Sequence, residues 1–354
     1  MKCTGYAIIV AGAALAAGAA AFGQATRPAI STQSVGPATA SAGYDWDELY
    51  LNNGRQVFAL RMKQDWSAAW PTWTWTAPQS PEITVRQRAW FTGTDDCKPV
   101  LGGTHVLITS SSGGVALIRR ADAACVFYAP SVNAHSAELV GDRWVAVCSS
   151  LRGNELQVFD RRAKEMPAEK LAFIPLAGAH GAVYDWRQEV LWALGTDELL
   201  KTKIVESKDG VKIEVLERFA LPSKGGHDLF PYFHYKALAG KTPDTARGLF
   251  VTVWDGVYVF DLQTQKFVPF EPLAKEGEVK SVTDNLRTGR IVYSKADPES
   301  SFSKQVRFLN PAEVRTLPDK IGSYNTKIYK VRWNQPNPFS YKADAEAGNG
   351  RLTK

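Results

Sequence analysis

Three short segments, each with a histidine in the same place, decide the fold: Asn133-Ala134-His135-Ser136, Gly178-Ala179-His180-Gly181 and Gly225-Gly226-His227-Asp228. The histidines are 45 and 47 residues apart. Each segment is followed by short runs rich in β-branched and aromatic residues, bounded by Gly, Asp, Asn and Pro. Such runs are typical of strands joined by tight turns. A unit of four strands repeated every ~45 residues is typical of a β-propeller blade.

The same register extends in both directions along the chain. Asp96-Cys97-Lys98 stands before a strand pair upstream, and Val279-Lys280-Ser281 stands before another downstream. Glu48–Leu51 begins a further unit near the N-terminus, which brings the number of units to six. The sequence therefore predicts an all-β, six-bladed β-propeller over residues 44–337.

The C-terminal strand Lys327–Trp333 has no blade of its own. We expect it to complete a blade begun at the other end of the chain, because this closes the ring and removes exposed strand edges. If it instead belongs to a separate blade, the number of blades is seven.

Outside this domain the composition changes. Residues 1–25 combine a positive start, an apolar Ala/Gly-rich run and small residues at a cleavage position, which predicts a signal peptide and a secreted or periplasmic protein. An uncleaved anchor is the alternative. Residues 26–43 predict a flexible lead-in, and residues 338–354 predict a loose polar tail. We expect no membrane segment after signal cleavage, and a monomer.

Charge and cysteine content narrow the choice of partners. The chain has 42 Lys and Arg against 36 Asp and Glu, a net charge of +6 without basic clusters. This balance does not suggest nucleic acid, but it is compatible with an acidic polysaccharide or oligosaccharide, or with an ordinary surface. Cys97, Cys125 and Cys148 show no zinc-binding spacing. We interpret Cys125 and Cys148, which lie within strand-like apolar runs, as buried small hydrophobes, although a disulfide among the three cysteines stays open.

The three aligned histidines predict a site. Position in the repeat places His135, His180 and His227 at the start of three successive innermost strands, so they should converge at one mouth of the central channel. Three neutral imidazoles suit a borderline divalent metal such as Zn²⁺ or Mn²⁺ and leave a coordination position open. The alternative is that they are structural ties between neighbouring blades.

Other polar residues are expected around this mouth. Lys98 and Lys280 occupy matching positions in the flanking units, and loops after the second strands would contribute Arg152, Asp197, Trp254 and Asp255. We predict Arg152, Trp254 and Asp255 to be substrate-binding residues. A basic, His-lined mouth with one exposed aromatic suits a carboxylate-bearing sugar.

Such a mouth suggests polysaccharide lyase chemistry, although whether the protein is an enzyme stays open. Elimination from a uronate requires a cation or metal to neutralise the carboxylate and a base to remove the C5 proton. Lys98, Lys280 and Tyr184, four residues beyond His180, are the candidate catalytic residues. The alternative is a non-catalytic propeller that binds a glycan or a protein.

Several of these motifs carry a resemblance. The runs His180–Trp186, Leu191–Gly195 and Gly225–Leu229, with the closing Tyr329–Trp333, resemble a family of uncharacterised secreted bacterial proteins. That resemblance implies a propeller and no established activity. The layout is also similar to that of propeller polysaccharide lyases of the oligogalacturonate and ulvan types, of which the former hold a divalent metal with histidines near the channel mouth. No residue role is carried over from them.

Overall fold

The computed structural model describes residues 43–67, 70–233 and 246–349, with side chains up to residue 346. The predicted signal peptide (1–25) and all but the last residue of the predicted lead-in (26–43) lie outside the described residues. None of the helices in the described ranges is long and apolar enough to cross a membrane.

The strands form six antiparallel four-stranded sheets, one per blade. Blade 1 contains β1 (Glu48–Asn52), β2 (Val57–Arg61), β3 (Trp73–Trp75) and the C-terminal β26 (Val331–Trp333). Blade 2 contains β4 (Thr94–Val100), β5 (His105–Ser110), β6 (Gly114–Arg119) and β7 (Cys125–Pro130). Blade 3 contains β8 (Ala134–Val140), β9 (Trp144–Ser149), β10 (Glu155–Asp160) and β11 (Lys170–Pro175). In blades 2 and 3 the innermost strand is joined to the second strand by a short turn, as the sequence predicts.

The second half of the ring repeats this pattern. Blade 4 contains β12 (Gly181–Asp185), β13 (Val190–Leu194), β14 (Glu198–Ser207) and β15 (Gly210–Ala220). Blade 5 contains β16 (Asp228–Tyr232), β17 (Gly248–Val253), β18 (Gly256–Asp261) and β19 (Lys266–Pro269). Blade 6 contains β20 (Val279–Asp284), β21 (Ile291–Lys295), β22 (Gln305–Leu309) and β23 (Glu313–Thr316). A small hairpin, β24 (Lys320–Ile321) and β25 (Tyr324–Asn325), precedes β26, and helix α1 (Lys342–Asn349) follows it. The six-bladed prediction is confirmed.

The C-terminal strand closes the ring, as predicted, but it takes a different position within blade 1 from the one expected. β26 pairs antiparallel with β1, with Leu49 opposite Trp333 and Leu51 opposite Val331, and it is the innermost strand of blade 1. The assignment of Glu48–Leu51 as a blade start is therefore wrong, because β1 is the second strand and the C-terminal strand takes the place next to the axis.

Apolar side chains fill the spaces between blades. Alternate residues of each strand face the preceding and the following blade, so nearly every inner-strand residue is buried on both faces. One such cluster joins blades 1 and 2 through Tyr50, Trp75, Val106 and Ile108. The three cysteines of the described chain are free and buried, which confirms the interpretation of Cys125 and Cys148 as small hydrophobes.

A charged network crosses the channel axis inside this core. The Arg332 guanidinium on β26 donates to Asp96 of blade 2 at 3.0 Å and to Asp228 of blade 5 at 2.6 and 2.8 Å. Lys330 donates to Asp228 at 2.9 Å. Burial alone would raise the pKa of Asp96, but Arg332 and Lys330 hold it below its usual range. The last strand is thus held by charge as well as by backbone pairing.

The tail does not behave as predicted. Phe339 is buried in the core of blades 4 and 5, and the Tyr341 hydroxyl donates to the Glu138 carboxylate inside the channel. Asp344 accepts hydrogen bonds from the Tyr44 hydroxyl at 2.6 Å and the Asn337 amide at 2.7 Å. The prediction of a loose tail is wrong for residues 338–346, because apolar residues spaced among polar ones cover the end of the channel opposite the histidines.

Removing Arg332 tests the role of the charged network. Arg332→Met leaves Asp96 and Asp228 as buried carboxylates without their main partner, so we expect about 3–5 kcal/mol less stability towards urea. Arg287→Gln is the control, because its 3.0 Å pair with Asp47 is exposed and should contribute less than about 1 kcal/mol. Equal, small losses in both variants would contradict an essential role for the network.

Candidate binding site at the channel mouth

Irregular backbone at the start of the innermost strands creates the site. The pairing of β4, β8 and β20 skips one residue, which is Asp95, His135 and Lys280 respectively. An extra residue in one strand redirects its side chain and bends the strand. In blades 4 and 5 the equivalent residues, His180 and His227, immediately precede the innermost strand. The His180 amide donates to the Leu194 carbonyl of β13 at 2.8 Å, and the His227 amide donates to the Thr252 carbonyl of β17 at 2.9 Å.

This register corrects one predicted member of the ring. The blade 2 residue beside the histidines is Asp95, whose Oδ1 lies 3.8 Å from His135 Nδ1. Lys98 lies three residues deeper, where its ammonium donates to Glu138 at 3.2 Å and to the Ala182 carbonyl at 2.8 Å. The sequence comparison matched Lys98 with Lys280, whereas the strand pairings show that Asp95, three residues before Lys98, is the equivalent of His135 and Lys280. Lys98 is buried in the channel, away from the mouth.

The three predicted histidines do come together. The rings of His135 and His180 stack with centroids 4.2 Å apart, and His227 meets His180 edge-on at 5.5 Å. Tyr329, which precedes β26, packs on the other side of His135 at 5.5 Å. The sequence motif Tyr329–Trp333 contained this residue, but nothing in the repeat assigned it to the mouth.

Hydrogen bonds define the tautomers of two imidazoles. His180 Nδ1 lies 2.8 Å from the Gly178 carbonyl, which can only accept, so Nδ1 carries the proton and Nε2 has a free lone pair. The Lys280 ammonium donates to His227 Nε2 at 3.0 Å, which places the proton of that ring on Nδ1. His227 Nδ1 and His135 Nδ1 are buried without a hydrogen-bond partner in the described chain. Buried polar atoms of this kind mark places for a ligand or water.

Burial keeps all three rings neutral. It is the main cause that lowers the pKa of His180 to about 4, with Lys330 and Lys280 adding to the effect. Burial, then Lys280, lowers the pKa of His227 to about 2, and burial and His180 hold that of His135 well below its usual value. Burial likewise raises the pKa of Asp95 to about 8. Near neutral pH the mouth therefore contains imidazoles and a largely protonated carboxyl group.

The arrangement does not fit the predicted metal. An imidazole coordinates a metal in the plane of its ring, and the planes of His135 and His180 are inclined by only 23° while the rings stack. Two such planes do not meet at bonding distance from both rings. The Lys280 ammonium also occupies the Nε2 lone pair of His227. Among the described residues, no group of three or more His, Cys, Asp or Glu could hold a metal ion.

Lys280 places a positive charge beside the histidines. Its side chain is 6 % exposed, and besides His227 its ammonium contacts the Glu278 carboxylate at 2.8 Å. The Glu278 side chain is 52 % exposed. A nearly buried cation thus has a counter-ion that solvent or a ligand can displace.

Loops around the mouth carry the predicted substrate-binding residues. Trp254 is 54 % exposed, and its indole lies over Gly225, where an added Cβ would stand 2.3 Å from the ring. Arg152 and Asp255 are exposed in the turns after β9 and β17. Two exposed apolar side chains were missed by the sequence reasoning: Leu151 in the turn after β9 and Val132 in the connection between β7 and β8.

Tyr184 lies elsewhere. It is near the end of β12, about 13 Å along the strand from His180 at ~3.3 Å per residue, and it packs between blades 3 and 4. Burial raises its pKa. The strand rise separates it from the mouth, so it cannot act as a base beside the histidines.

The fold and this mouth define the class: a six-bladed β-propeller with a polar, histidine-lined entrance to a filled channel. The chain belongs to a family of unknown function, DUF6528, whose model matches residues 49–348. No curated protein matches it. A solved structure of a functionally unknown protein from Desulfotomaculum acetoxidans DSM 771 is similar, with 10% identity and a TM-score of 0.47 over 76% of this chain and 78% of that one.

The protonation states can be tested by NMR. With ¹⁵N-labelled histidine, we expect His180 to remain neutral, with its proton on Nδ1, at pH 5.5, since its pKa is lowered to about 4. In urea the same residue should titrate near ~6.5. Because only the unfolded state takes up this proton as the pH falls below that value, His180 should reduce stability progressively down to about pH 4. Titration of His180 near pH 6.5 in the folded protein would refute this description.

Proposed function

We propose that the channel mouth binds an acidic polysaccharide or oligosaccharide, with a sugar carboxylate at Lys280. The observation that carries this proposal is the nearly buried ammonium of Lys280, beside three neutral imidazoles, with an exposed and displaceable counter-ion in Glu278. The predicted signal peptide supports it as well, since export would bring the mouth into contact with extracellular polymers.

The electrostatics of the mouth favour a carboxylate. A ligand carboxylate that replaces Glu278 makes the same charge-assisted hydrogen bond, in surroundings less polar than water. Lys330 is already committed to Asp228 and Asp96, whereas the Glu278 counter-ion of Lys280 is exposed and can be replaced by a ligand. The unpartnered Nδ1–H of His227 is a second donor beside it.

Trp254 supports a sugar as the bearer of that carboxylate. Its indole is held flat against Gly225, two residues before His227, and half of its surface is open. A rigid aromatic surface binds an apolar sugar face at low cost in conformational entropy. Arg152 and Asp255, on neighbouring loops, supply polar groups for hydroxyls at the rim.

The site favours binding over elimination. A general base works best when its pKa is near the working pH, and burial lowers the pKa values of His180 and His227 to about 4 and about 2. Tyr184 and Lys98 lie away from the mouth. We therefore propose a glycan-binding propeller rather than a polysaccharide lyase.

Two charge variants test carboxylate recognition. Lys280→Met removes the cation and should weaken binding of oligogalacturonate about tenfold or more, whereas Glu278→Gln removes the internal competitor and should strengthen binding several-fold. Glu198→Gln is the control, because Glu198 pairs with Arg218 on the outer strands of blade 4. Calorimetry measures the affinities. Equal binding of the methyl-esterified oligomer, or full affinity in Lys280→Met, would overturn the proposal.

Separate measurements test whether the protein is a lyase and whether it binds a metal. Incubation with pectic, ulvan-like and glycosaminoglycan polymers should produce no ultraviolet absorbance from a conjugated double bond, and EDTA should leave oligogalacturonate binding unchanged. An absorbance increase lost in His135→Ala would establish a lyase instead. Stoichiometric zinc or manganese in the purified protein, lost in His180→Ala or His227→Ala, would establish a metal site with rearranged rings.

A further inference from the structure

A cavity of about 580 Å³ lies on the mouth face of blade 6. The connection between β21 and β22 forms most of its wall, and Glu278, which directly precedes β20, forms part of the rest. Its volume falls within the range of sites for small ligands. Because Glu278 is also the counter-ion of Lys280, the cavity adjoins the mouth.

Backbone hydrogen bonds hold Glu278 between this cavity and the Trp254 loop. The Glu278 amide donates to the Trp254 carbonyl at 3.0 Å, and the Glu278 carbonyl accepts from the Ala296 amide at 3.0 Å. The Glu278 carboxylate contacts the Lys280 ammonium at 2.8 Å. A ligand carboxylate that takes the place of Glu278 at Lys280 therefore lies at the edge of the cavity.

Local contacts hold the wall of the cavity in place. Ser303 Oγ donates to the Asp297 carboxylate at 2.8 Å, and the Asp297 amide donates to the Phe302 carbonyl at 3.1 Å. The ring of Phe302 lies 5.8 Å from that of Tyr329, which packs on His135. A wall that is already ordered binds a ligand at a lower entropic cost than a loop that must first become ordered.

The side chains of the cavity carry an excess of negative charge. Glu278, Asp297 and Glu299 line it together with Lys295. The Lys295 ammonium is already paired with the Glu276 carboxylate. A ligand carboxylate inside the cavity would thus meet like charges, which disfavour its binding.

Other groups of the cavity suit sugar hydroxyls. Ser300 and Ser301 are exposed in its wall, and a serine hydroxyl both donates and accepts. The carboxylates of Asp297 and Glu299 are acceptors for the same hydroxyls. The cavity therefore has hydrogen-bonding partners for a sugar but repels a sugar acid.

We infer that the ligand is a heteropolymer, in which the uronate bound at Lys280 is joined to a sugar without a carboxylate that occupies this cavity. The inference rests on the function proposed for the mouth. It narrows the ligand from acidic glycans in general to those in which a uronate alternates with a non-acidic sugar, and it disfavours polyuronates.

Two tetrasaccharides that share galacturonate test the inference on the full-length protein: one alternates galacturonate with rhamnose, and the other is tetragalacturonate. By calorimetry at low salt, the alternating ligand should bind about tenfold more tightly. The difference should shrink at high salt, because screening weakens the repulsion between like charges.

A charge variant tests whether the cavity causes this preference. Asp297→Asn combined with Glu299→Gln removes two negative charges, and the asparagine keeps an acceptor for Ser303. It should strengthen tetragalacturonate binding several-fold and change binding of the alternating ligand by less than about twofold. Glu189→Gln combined with Asp209→Asn is the control, because it removes the same charge from exposed turns of blade 4 on the opposite face.

The outcomes separate this inference from the proposal for the mouth. Equal affinity of the native protein for the two ligands, or no gain for tetragalacturonate in the cavity variant, would overturn the inference. The proposal for the mouth would then stand if Lys280→Met still weakened both ligands. Binding of neither ligand, or undiminished binding of both in Lys280→Met, would overturn the proposal for the mouth and this inference with it. Thermal melting shows whether each variant remains folded.

Discussion

The bidentate contacts of Arg332 with Asp96 and Asp228 are the interaction on which the rest of the structure depends. A propeller is a ring of sheets that touch only their neighbours, so it is stable only when the last strand joins the first blade. Here β26 makes a short pairing with β1 and adds two cations that reach blades 2 and 5. Buried charges do not stabilise a fold more than good apolar packing would. They do define which strand closes the ring, because any other strand would leave two buried carboxylates unpaired.

The segment that closes the ring also affects the packing and the pKa values of the histidines at the mouth. Lys330 follows Tyr329, which packs on His135, and its charge is one of the causes that lower the pKa values of His135, His180 and His227. Ring closure and the neutral state of the histidines are therefore coupled. A site built in this way suits recognition through hydrogen bonds and a single exchangeable ion pair, rather than proton abstraction by a strong base.

The channel between the two faces is filled. Below the histidines lie the aspartates with Arg332 and Lys330, then Lys98 with Glu138, and finally Tyr341 from the tail. The mouth is thus separated from the opposite face of the propeller by a filled channel. The C-terminal segment contributes to both ends of this channel, through Tyr329 at the mouth and Tyr341 at the other end.

The repeat, the closing role of the C-terminal strand and the meeting of the three histidines followed from the sequence alone, because four short strands recurring every ~45 residues are typical of a propeller. The place of Glu48–Leu51 within blade 1 did not. Tyr184 was predicted as a candidate base, although the rise of the strand between it and His180 could have excluded it from the mouth. The placement of Asp95, and not Lys98, beside His135 needed the tertiary structure, since this three-residue difference is visible only in the pairing of β4 with β5. Burial of the tail, the stacking of His135 on His180 and the pairing of Lys280 with His227 were likewise decided in three dimensions. They depend on contacts between residues tens to hundreds of positions apart, and no local pattern records such contacts.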